Sequence, residues 1–368
     1  MKFRIKNPDG YYNAYSIAIS NRAIEELQAQ ALPFWIVKDH YFVNSYDKRE
    51  VTLVNSESVH FEELNDYDVL EVFPDGTVNR YYNDSSEDNL FFITEKCNSN
   101  CIMCPSPDSS RKGGGSWRAK QLIYIAQHIP ADAKHFTITG GEPFMIGSEI
   151  FDFFKYLRNR FEETEFLVLT NGRALAIKSY SQVLENTLPY NTLFGIPLHA
   201  SNAKLHDFIT RASGSFVQTV AGIRNLILLK IPVEIRIVVN RLNVSDLERL
   251  AFFIVKEFPE VDHVSIMAME MTGSAYINRN VVWIPYKDSF NYVSKAVDIF
   301  IENAINVRLY NYPLCTVQPE YWTLCKKSIS GRKIRYLEAC FECKMKDACG
   351  GMFAGTRHLE ESEIKAIR

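Results

Sequence analysis

Three cysteines in the first third of the chain have the spacing of metal ligands. Cys97, Cys101 and Cys104 form a C-x3-C-x2-C loop, called the cysteine loop below, which follows a short apolar run at 90–93. Thiolates this close in sequence can converge on one soft metal centre, whereas a tight loop seldom lets two of them form a disulfide. An iron–sulfur cubane normally takes four ligands, so three thiolates would leave one iron open to bind a substrate.

The other cysteines all lie near the C-terminus. Cys340, Cys343 and Cys349 are spaced C-x2-C-x5-C, and Cys315 and Cys325 precede them. In a reducing cytosol such clusters bind metal more often than they form disulfides. A site of four thiols is the economical interpretation, with either Cys315 or Cys325 as the fourth. We favour Cys315, which follows an apparent strand and a proline turn, because Cys325 lies in a segment that looks like an amphipathic helix. Zinc and an iron–sulfur cluster both remain open.

Strand-like and helix-like segments alternate through the middle of the chain and must position these thiols. Strands are predicted at 90–93, 136–139, 166–169, 192–198, 233–239 and 264–267. Helices are predicted at 117–129, 148–161, 177–186, 216–229, 244–257 and 287–303. Six strands that are each followed by a helix indicate a parallel sheet with right-handed crossovers, and continued curvature would make it a barrel or partial barrel.

A second motif ends the second predicted strand. It consists of Gly140, Gly141, Glu142 and Pro143, called the GGEP segment below. Glycines let the backbone approach a ligand closely, and Glu142 can accept hydrogen bonds from an ammonium group. In parallel barrels the chemistry lies at the carboxyl ends of the strands, which is where the cysteine loop and the GGEP segment both fall.

Composition and charge argue against several classes of function. The chain has 368 residues with 46% hydrophobic content, which is enough for one large domain with appendages. Its 41 basic and 44 acidic residues give a net charge of -3, so no basic excess points to a nucleic-acid partner. The N-terminus lacks the apolar region of a secretory signal, and no uninterrupted apolar stretch approaches the roughly 18 residues of a membrane span. We expect a soluble, cytoplasmic protein without a membrane partner.

The flanking segments differ from the middle of the chain. Short strand-like runs predict a small β-rich N-terminal domain over residues 1–87, ending in a polar linker. The barrel is then expected over 88–305, and a cysteine-rich C-terminal extension over 306–368.

The cysteine loop after a first strand, together with the GGEP segment, resembles the radical S-adenosylmethionine (SAM) superfamily. The resemblance implies an α/β fold with a partial (β/α)6 TIM-type barrel, which agrees with the strand count. It also implies that Cys97, Cys101 and Cys104 hold a 4Fe–4S cluster whose open iron chelates the amino and carboxylate groups of SAM. The GGEP segment would line the SAM amino group.

Further SAM contacts are expected at the remaining strand ends. Asn171 offers an amide to a ribose or a carboxylate, and His199 is either a ligand contact or a structural histidine. Arg211 and Arg236 are candidates for the SAM carboxylate, because a guanidinium in a buried strand such as that of Arg236 needs an anionic partner. An internal salt bridge is the alternative for Arg236. No general acid or base can be assigned.

The C-terminal C-x2-C-x5-C pattern is similar to the SPASM and twitch extensions of radical SAM maturases, in which it ligates an auxiliary iron–sulfur cluster. The match is partial, since Phe353 stands where a SPASM segment has a further cysteine, and a preceding Gly-x4-Cys unit is missing. The resemblance implies an auxiliary 4Fe–4S cluster at Cys340, Cys343 and Cys349, and Cys315 is the fourth ligand that we favour from its position.

Several stretches between residue 88 and the C-terminus look similar to the HxsC-type maturases of the His-Xaa-Ser peptide-modification system. The resemblance implies reductive cleavage of SAM and radical modification of a ribosomally made precursor peptide. Its implied partners are that peptide, a possible partner radical SAM maturase, and an electron donor such as flavodoxin or ferredoxin. Two alternatives stay open. The first is a radical SAM enzyme that acts on a small metabolite or on a folded protein, as sulfatase-maturating enzymes do. The second is a non-catalytic zinc protein.

Overall fold

The computed structural model describes residues 1–55, 59–106, 108–329, 331, 333–360 and 363–368. The strands within these residues are β1 (Lys2–Arg4), β2 (Asn13–Ala18), β3 (Phe34–Lys38), β4 (Tyr41–Asn44), β5 (Glu50–Val51), β6 (Val69–Val72), β7 (Thr77–Tyr82), β8 (Leu90–Phe92), β9 (His135–Thr139), β10 (Glu165–Leu169), β11 (Asn191–Pro197), β12 (Val233–Val238), β13 (His263–Met267), β14 (Val307–Tyr310), β15 (Cys325–Lys326), β16 (Ile334–Arg335) and β17 (Met352–Phe353). The helices are α1 (Asn21–Ala29), α2 (Asp108–Gly113), α3 (Ala119–His128), α4 (Glu149–Arg160), α5 (Lys178–Gln182), α6 (Leu184–Thr187), α7 (Ala203–Thr210), α8 (Ser215–Leu228), α9 (Leu247–Glu257), α10 (Gly273–Ile277), α11 (Arg279–Val282), α12 (Tyr286–Glu302) and α13 (Arg357–Glu360). None of the helices in this part of the chain is both long enough and apolar enough to cross a bilayer.

Strands β8 to β15 form one sheet in chain order, and every pair is parallel. At least one helix joins each strand to the next from β8 to β14, which is the repeated unit of α/β folds. The six strands and six helices predicted from the sequence are confirmed to within a few residues, except that the helix predicted at 177–186 is divided into α5 and α6. The sheet also continues past the prediction into β14 and β15.

The main hydrophobic core lies between this sheet and its helices. Phe91 of β8 and Phe136 of β9 have ring centroids 4.7 Å apart, and Phe153 of α4 packs edge-on against Phe91 at 5.1 Å. All three side chains are fully buried. Because successive side chains of a strand point to opposite faces, the residues between these core positions face the concave side of the sheet. The parallel sheet curves around a cavity on that side, as expected of a partial barrel.

The first seven strands form a second sheet, in the order β1-β7-β6-β2-β3-β4-β5. Its two edges meet, because Lys6 N donates to Thr52 O at 2.8 Å and Val54 N donates to Arg4 O at 2.9 Å. Sheet edges that pair with each other present no open row of backbone groups to another chain. A peptide therefore finds no free strand edge along this seam.

This second sheet packs against α3 of the parallel-sheet region. Ser16 Oγ donates to His128 O at 3.1 Å, and the Tyr124 hydroxyl donates to Asn13 Oδ1. Ala14 of β2 belongs to the same buried cluster as the core of the parallel sheet. The two sheets thus share a core, and the division of the chain at residue 87 stays a prediction.

Glu71 of β6 is a buried carboxyl within this contact. Asn79 Nδ2 donates to its Oε1 at 3.1 Å, and Oε2 has no hydrogen-bond partner among the described residues. Burial raises the pKa of Glu71 from 4.5 to about 7. An acid whose pKa is higher in the folded protein than in the unfolded chain loses stability as pH rises between the two values.

We therefore expect Glu71→Gln to stabilise the protein more at high pH than at low pH. The gain in the free energy of unfolding should be about 3 kcal/mol at about pH 8 and roughly half of that at about pH 5.5. Urea unfolding of wild type and variant at both pH values measures it, with exposed Glu87→Gln as the control. An equal gain at both pH values would contradict the titration of Glu71.

Candidate active site

The cysteine loop follows β8 and is held by the ends of two helices. Ile102 N donates to Ile209 O at 2.9 Å, near the C-terminal end of α7, and Ser274 N at the start of α10 donates to Cys104 O at 2.9 Å. All three thiols of the loop are half-buried. Their presentation therefore depends on segments far along the chain.

Two arginines that sequence reasoning missed brace the same loop. Arg111 of α2, which is buried, donates from Nη2 to Asn100 Oδ1 at 2.6 Å and to Ser274 Oγ at 3.0 Å. Arg173 donates from Nη1 to Ser99 Oγ at 3.1 Å. A guanidinium has several donors in a fixed plane, so it can bind several acceptors of an irregular loop at once.

Gly273 allows α10 to approach the cysteine loop. Its φ is +54°, and a Cβ at this position would lie 2.1 Å from Pro105 O. A side chain would therefore be strained in its own backbone conformation and would collide with the loop.

The GGEP segment brings β9 against the backbone that leads into the cysteine loop. Gly141 N donates to Thr94 O at 2.7 Å. A Cβ at Gly140 would lie 2.4 Å from Thr94 O, and one at Gly141 would lie 2.4 Å from Lys96 O. The sequence analysis expected these glycines to let the backbone approach a ligand. In the described residues they instead let the end of β9 approach the backbone at residues 94–96.

Glu142 fastens the end of β9 to the end of β10. Its Oε1 accepts from Thr170 Oγ1 at 2.7 Å and from Phe144 N at 3.1 Å, and its Oε2 accepts from Asn171 N at 2.7 Å. The side chain is fully buried, and burial raises the pKa of Glu142 despite these donors.

Glu142→Gln should destabilise the protein although it preserves the shape of the side chain. Glutamine offers one oxygen where glutamate offers two, so one of the three donors stays unsatisfied, at a cost of about 1–3 kcal/mol. The midpoint of urea unfolding measures this loss, and exposed Glu163→Gln serves as the control. A variant as stable as its control would show that the contacts of Glu142 contribute nothing to folding.

Asn171, at the end of β10, points to the first thiol. Its Nδ2 donates to Asn98 Oδ1 at 2.6 Å and lies 3.9 Å from Cys97 Sγ. Ser99 N also donates to Cys97 Sγ, at 3.4 Å. Donors directed at a sulfur atom suit a thiolate that ligates an iron–sulfur cluster.

His199 follows β11 and is a buried neutral histidine. Burial, followed by the charge of His206, lowers the pKa of His199 to about 3. His199 N donates to His206 Nδ1 at 3.2 Å, while His199 Nδ1 has no hydrogen-bond partner in the described part of the chain. His199 therefore has a ring nitrogen left for a ligand, and it lines the cavity described below.

Arg236 of β12 takes part in an ion pair, the alternative that the sequence left open. Its Nη1 lies 3.1 Å from Glu234 Oε2, and His263 Nε2 lies 3.6 Å from Glu234 Oε1. Burial alone would raise the pKa of Glu234, but the neighbouring His263 ring and the charge of Arg236 lower it to about 2. Gly195 makes room for the pair, since its Cβ would lie 3.0 Å from Arg236 Cδ.

The concave side of the sheet encloses a cavity of about 1340 Å³. Cys101 and Cys104 line it, together with His199 and Arg236. Arg211, in contrast, lies exposed at the C-terminal cap of α7 and is not among the described residues of the cavity wall. Four residues outside the GGEP segment were expected to contact SAM. Of these, His199 and Arg236 line the cavity, and Asn171 contacts the cysteine loop.

The N-terminal thiols fit an iron–sulfur cluster by number, spacing and position. Burial raises the pKa of Cys101 to about 12, so the metal-free thiol is protonated at neutral pH and cluster loading must release its proton. Among the described residues, no three histidine, cysteine, aspartate or glutamate side chains are arranged to hold a single metal ion.

A second group of thiols lines a smaller cavity near the C-terminus. These C-terminal thiols are Cys315, Cys340, Cys343 and Cys349. Cys325 does not line this cavity, and its Sγ donates instead to Tyr321 O at 3.9 Å. The amphipathic helix expected around Cys325 is wrong: a 3₁₀ helix ends at Leu324, and Cys325 begins β15, where it pairs in parallel with Leu309.

Backbone amides donate to two of the C-terminal thiols. Leu314 N and Gly351 N each donate to Cys349 Sγ at 3.4 Å, and Ile367 N donates to Cys343 Sγ at 3.4 Å. Amide donors of this kind stabilise charged sulfur and tune the potential of iron–sulfur clusters. The surroundings of these thiols therefore suit a metal-bound state.

Part of the chain is similar to known proteins. Residues 91–254 match the family model of the Radical SAM superfamily. A GTP 3',8-cyclase from Petrotoga mobilis (strain DSM 10674 / SJ95) is 27% identical over 197 residues, which cover 51% of this chain and 59% of that protein. The chain thus matches less than two thirds of the length of this relative.

Solved structures share the fold at low sequence identity. Streptococcus suis SuiB bound to S-adenosylmethionine superposes with a TM-score of 0.55, at 13% identity over 77% of both chains. SuiB bound to the precursor peptide SuiA gives a TM-score of 0.50, at 13% identity over 62% of this chain and 49% of that one. The likeness to these structures concerns the fold alone, and the match to the Radical SAM superfamily model covers residues 91–254.

Proposed function

We propose that this protein is a radical SAM enzyme that modifies a ribosomally synthesised precursor peptide. The observation that carries the proposal is the position of the cysteine loop, which lies within the residues that match the Radical SAM superfamily model and places Cys101 and Cys104 on the wall of a large cavity. When a 4Fe–4S cluster and SAM are bound there, reductive cleavage of SAM supplies a 5′-deoxyadenosyl radical able to abstract hydrogen from an unactivated carbon.

We place SAM between the cysteine loop and the strand ends. Asn171 already directs its amide at the loop, His199 presents a neutral ring nitrogen, and Arg236 presents a guanidinium to the cavity. Arg236 would bind the SAM carboxylate while it keeps its contact with Glu234, next to which His263 lies at 3.6 Å. Arg211 would have to reach inward from the exposed end of α7. The GGEP segment would contribute through the backbone that it orders next to the loop.

A peptide substrate is supported by fold likeness and by the size of the cavity. SuiB, which shares the fold, was solved with a precursor peptide, and a cavity of about 1340 Å³ exceeds the usual volume for a small ligand, roughly 300–1,000 Å³. We propose a precursor of the His-Xaa-Ser type, a partner radical SAM maturase, and flavodoxin or ferredoxin as the electron donor. These assignments come from the sequence resemblance.

The C-terminal thiols are proposed to hold an auxiliary 4Fe–4S cluster. Four thiols on one cavity and three amide donors to their sulfur atoms support this proposal. Zinc is the competing occupant of a four-thiol site, and metal analysis distinguishes the two.

A second candidate function is a reaction on a nucleotide. The observation in its favour is the GTP 3',8-cyclase relative, whose matched region covers 51% of this chain. Consumption of GTP with SAM and dithionite, in the absence of any peptide, would favour this candidate over peptide modification.

The proposal is tested by anaerobic reconstitution of the full chain, followed by iron and sulfide analysis. We expect about eight irons per chain in the wild type and about four in the triple Cys97/Cys101/Cys104→Ala variant, because each thiol group would hold a four-iron cluster. Wild type should also form 5′-deoxyadenosine from SAM and dithionite, and the variant should not.

Other iron contents separate the alternatives. About four irons that fall to none in the triple variant would leave the C-terminal thiols to zinc. A wild type without iron and without 5′-deoxyadenosine would overturn the enzymatic proposal.

A further inference from the structure

We propose that the side of the cavity formed by β14 and β15 binds acidic side chains of the substrate peptide. This inference rests on the proposed peptide-modifying function and adds the chemistry by which the peptide is recognised. The residues concerned, called the cationic wall below, are Arg308, Lys326 and Lys327, all of which line the cavity.

Strand register places these cations on one surface. Arg308 and Tyr310 are two residues apart on β14, so their side chains leave the same face of the sheet. Tyr310 pairs in parallel with Lys326 of β15, and residues paired in this way point to the same face. Lys327 follows directly and also lines the cavity. Arg308 and Lys326 therefore lie on either side of Tyr310 on one wall, and Lys327 lines the same cavity next to them.

The other cations of the cavity already have carboxylate partners. Arg236 lies 3.1 Å from Glu234, and Lys333 lies 3.1 Å from Glu270. These pairs leave little net charge on the walls that they occupy.

The cationic wall has no such compensation within the described residues. Arg308 has neither a hydrogen bond nor an ion pair there. Lys326 Nζ donates to Thr323 O at 3.3 Å, and Lys327 Nζ donates to Asp347 O, so both lysines contact neutral carbonyl groups. An uncompensated guanidinium and two ammonium groups beside one cavity can bind anionic groups from outside the chain.

Three of the five acidic residues that line the cavity lie at its other end, and the remaining two, Glu234 and Glu270, are paired with Arg236 and Lys333. Asp88, Glu165 and Asp262 line the cavity next to the amino ends of β8, β10 and β13, whereas Lys326 and Lys327 lie at the carboxyl end of β14. This separation of charge gives the cavity a polarity. An acidic peptide segment would be repelled from the first end and drawn to the cationic wall, beside the end of the barrel that carries the cysteine loop.

The spread of the cations favours a peptide over a compact phosphate group. Arg308 and Tyr310 are separated by about 7 Å along β14, and β15 lies about 4.8 Å to the side, by strand geometry. Alternate side chains of an extended peptide are also about 7 Å apart, so two acidic residues can each meet a different cation. Phosphate recognition instead uses donors that converge on one group.

The test uses three fluorescein-labelled synthetic peptides on a Gly-Ser background. They carry three glutamates, three glutamines or three lysines at alternate positions. Binding to the reconstituted full chain is measured by fluorescence anisotropy at about 50 mM and about 500 mM NaCl, because screening weakens contacts between exposed charges. The test variant is Arg308→Gln/Lys326→Gln/Lys327→Gln. The matched control is Lys120→Gln/Lys155→Gln/Lys178→Gln, which removes three exposed charges from α3, α4 and α5.

We expect the glutamate peptide to bind the wild type about tenfold more tightly than the glutamine peptide, as three modest charge contacts would give. The preference should largely disappear at high salt and in the test variant, and it should persist in the control variant. Equal iron content and equal peptide-free formation of 5′-deoxyadenosine in all three proteins would show that the variants fold and that the cysteine loop is intact.

Three results would overturn the inference. The first is no preference of the wild type for the glutamate peptide, and the second is a preference that the control variant loses as fully as the test variant does. The third is displacement of the labelled peptide by inorganic triphosphate at a far lower concentration than by unlabelled glutamate peptide. The last result would assign the wall to phosphate groups. A wild type that forms 5′-deoxyadenosine normally but shows no glutamate preference rejects this inference alone. A wild type that cleaves no SAM rejects the proposed function instead.

Discussion

Gly273→Ala is expected to remove the iron of the cysteine loop while the C-terminal thiols keep theirs. The φ of Gly273 is +54°, and a Cβ at this position would lie 2.1 Å from Pro105 O. No side-chain rotation relieves a Cβ clash, so either α10 or the loop must shift. Both shifts disturb the hydrogen bond between Ser274 N and Cys104 O that fixes the third thiol. We expect iron to fall from about eight to about four per chain.

The matched control for this variant is Gly214→Ala. Gly214 has a φ of +76°, but nothing lies within 4 Å of the Cβ that alanine would add. The control therefore carries the left-handed backbone strain of about 1–2 kcal/mol without the collision. Iron analysis and 5′-deoxyadenosine formation should be normal in Gly214→Ala, and 5′-deoxyadenosine should be at least about tenfold lower in Gly273→Ala, as a misplaced ligand set would cause. Equal iron in the two variants would show that the loop does not depend on its contact with α10.

The sequence predicted the elements of the parallel sheet because their signals are local. Apolar β-branched runs and helical spacing can be recognised over five to fifteen residues, and the strand ends follow from them. The cysteine loop and the GGEP segment were placed correctly at the ends of β8 and β9 for this reason. The proposed roles of their residues toward SAM depend on a ligand and remain predictions.

Contacts between distant segments could not be predicted in the same way. Arg111 lies in a Gly-rich stretch without a motif, and its contact with Ser274 spans 163 positions of the chain. The closure of the first sheet likewise depends on the pairing of Lys6 with Thr52, which composition does not indicate. Glu142 illustrates the intermediate case, since its motif marked it as functional while its buried hydrogen bonds to three neighbours show a structural role as well.

The C-terminal thiols offer the second large expected effect. Replacing Cys315 by serine should lower the iron content from about eight toward about four per chain, because the C-terminal site would lose one of its four thiolates and hold a four-iron cluster less tightly. Cys325→Ser should leave the iron content unchanged. The two cysteines are matched controls for each other: both are half-buried, and Cys325 pairs with Leu309 of the strand that precedes Cys315. Only Cys315 lines the cavity that contains Cys340, Cys343 and Cys349.

The outcome also separates the two metals that suit four thiolates. With an auxiliary iron–sulfur cluster, Cys315→Ser loses iron and acid-labile sulfide together while SAM cleavage at the cysteine loop continues. With zinc, the wild type holds about four irons and about one zinc, and Cys315→Ser loses only the zinc. Iron loss in Cys325→Ser but not in Cys315→Ser would contradict the observed grouping of the thiols. We expect Cys315, Cys340, Cys343 and Cys349 to be the ligand set, because three backbone amides already donate to the sulfur atoms of Cys343 and Cys349.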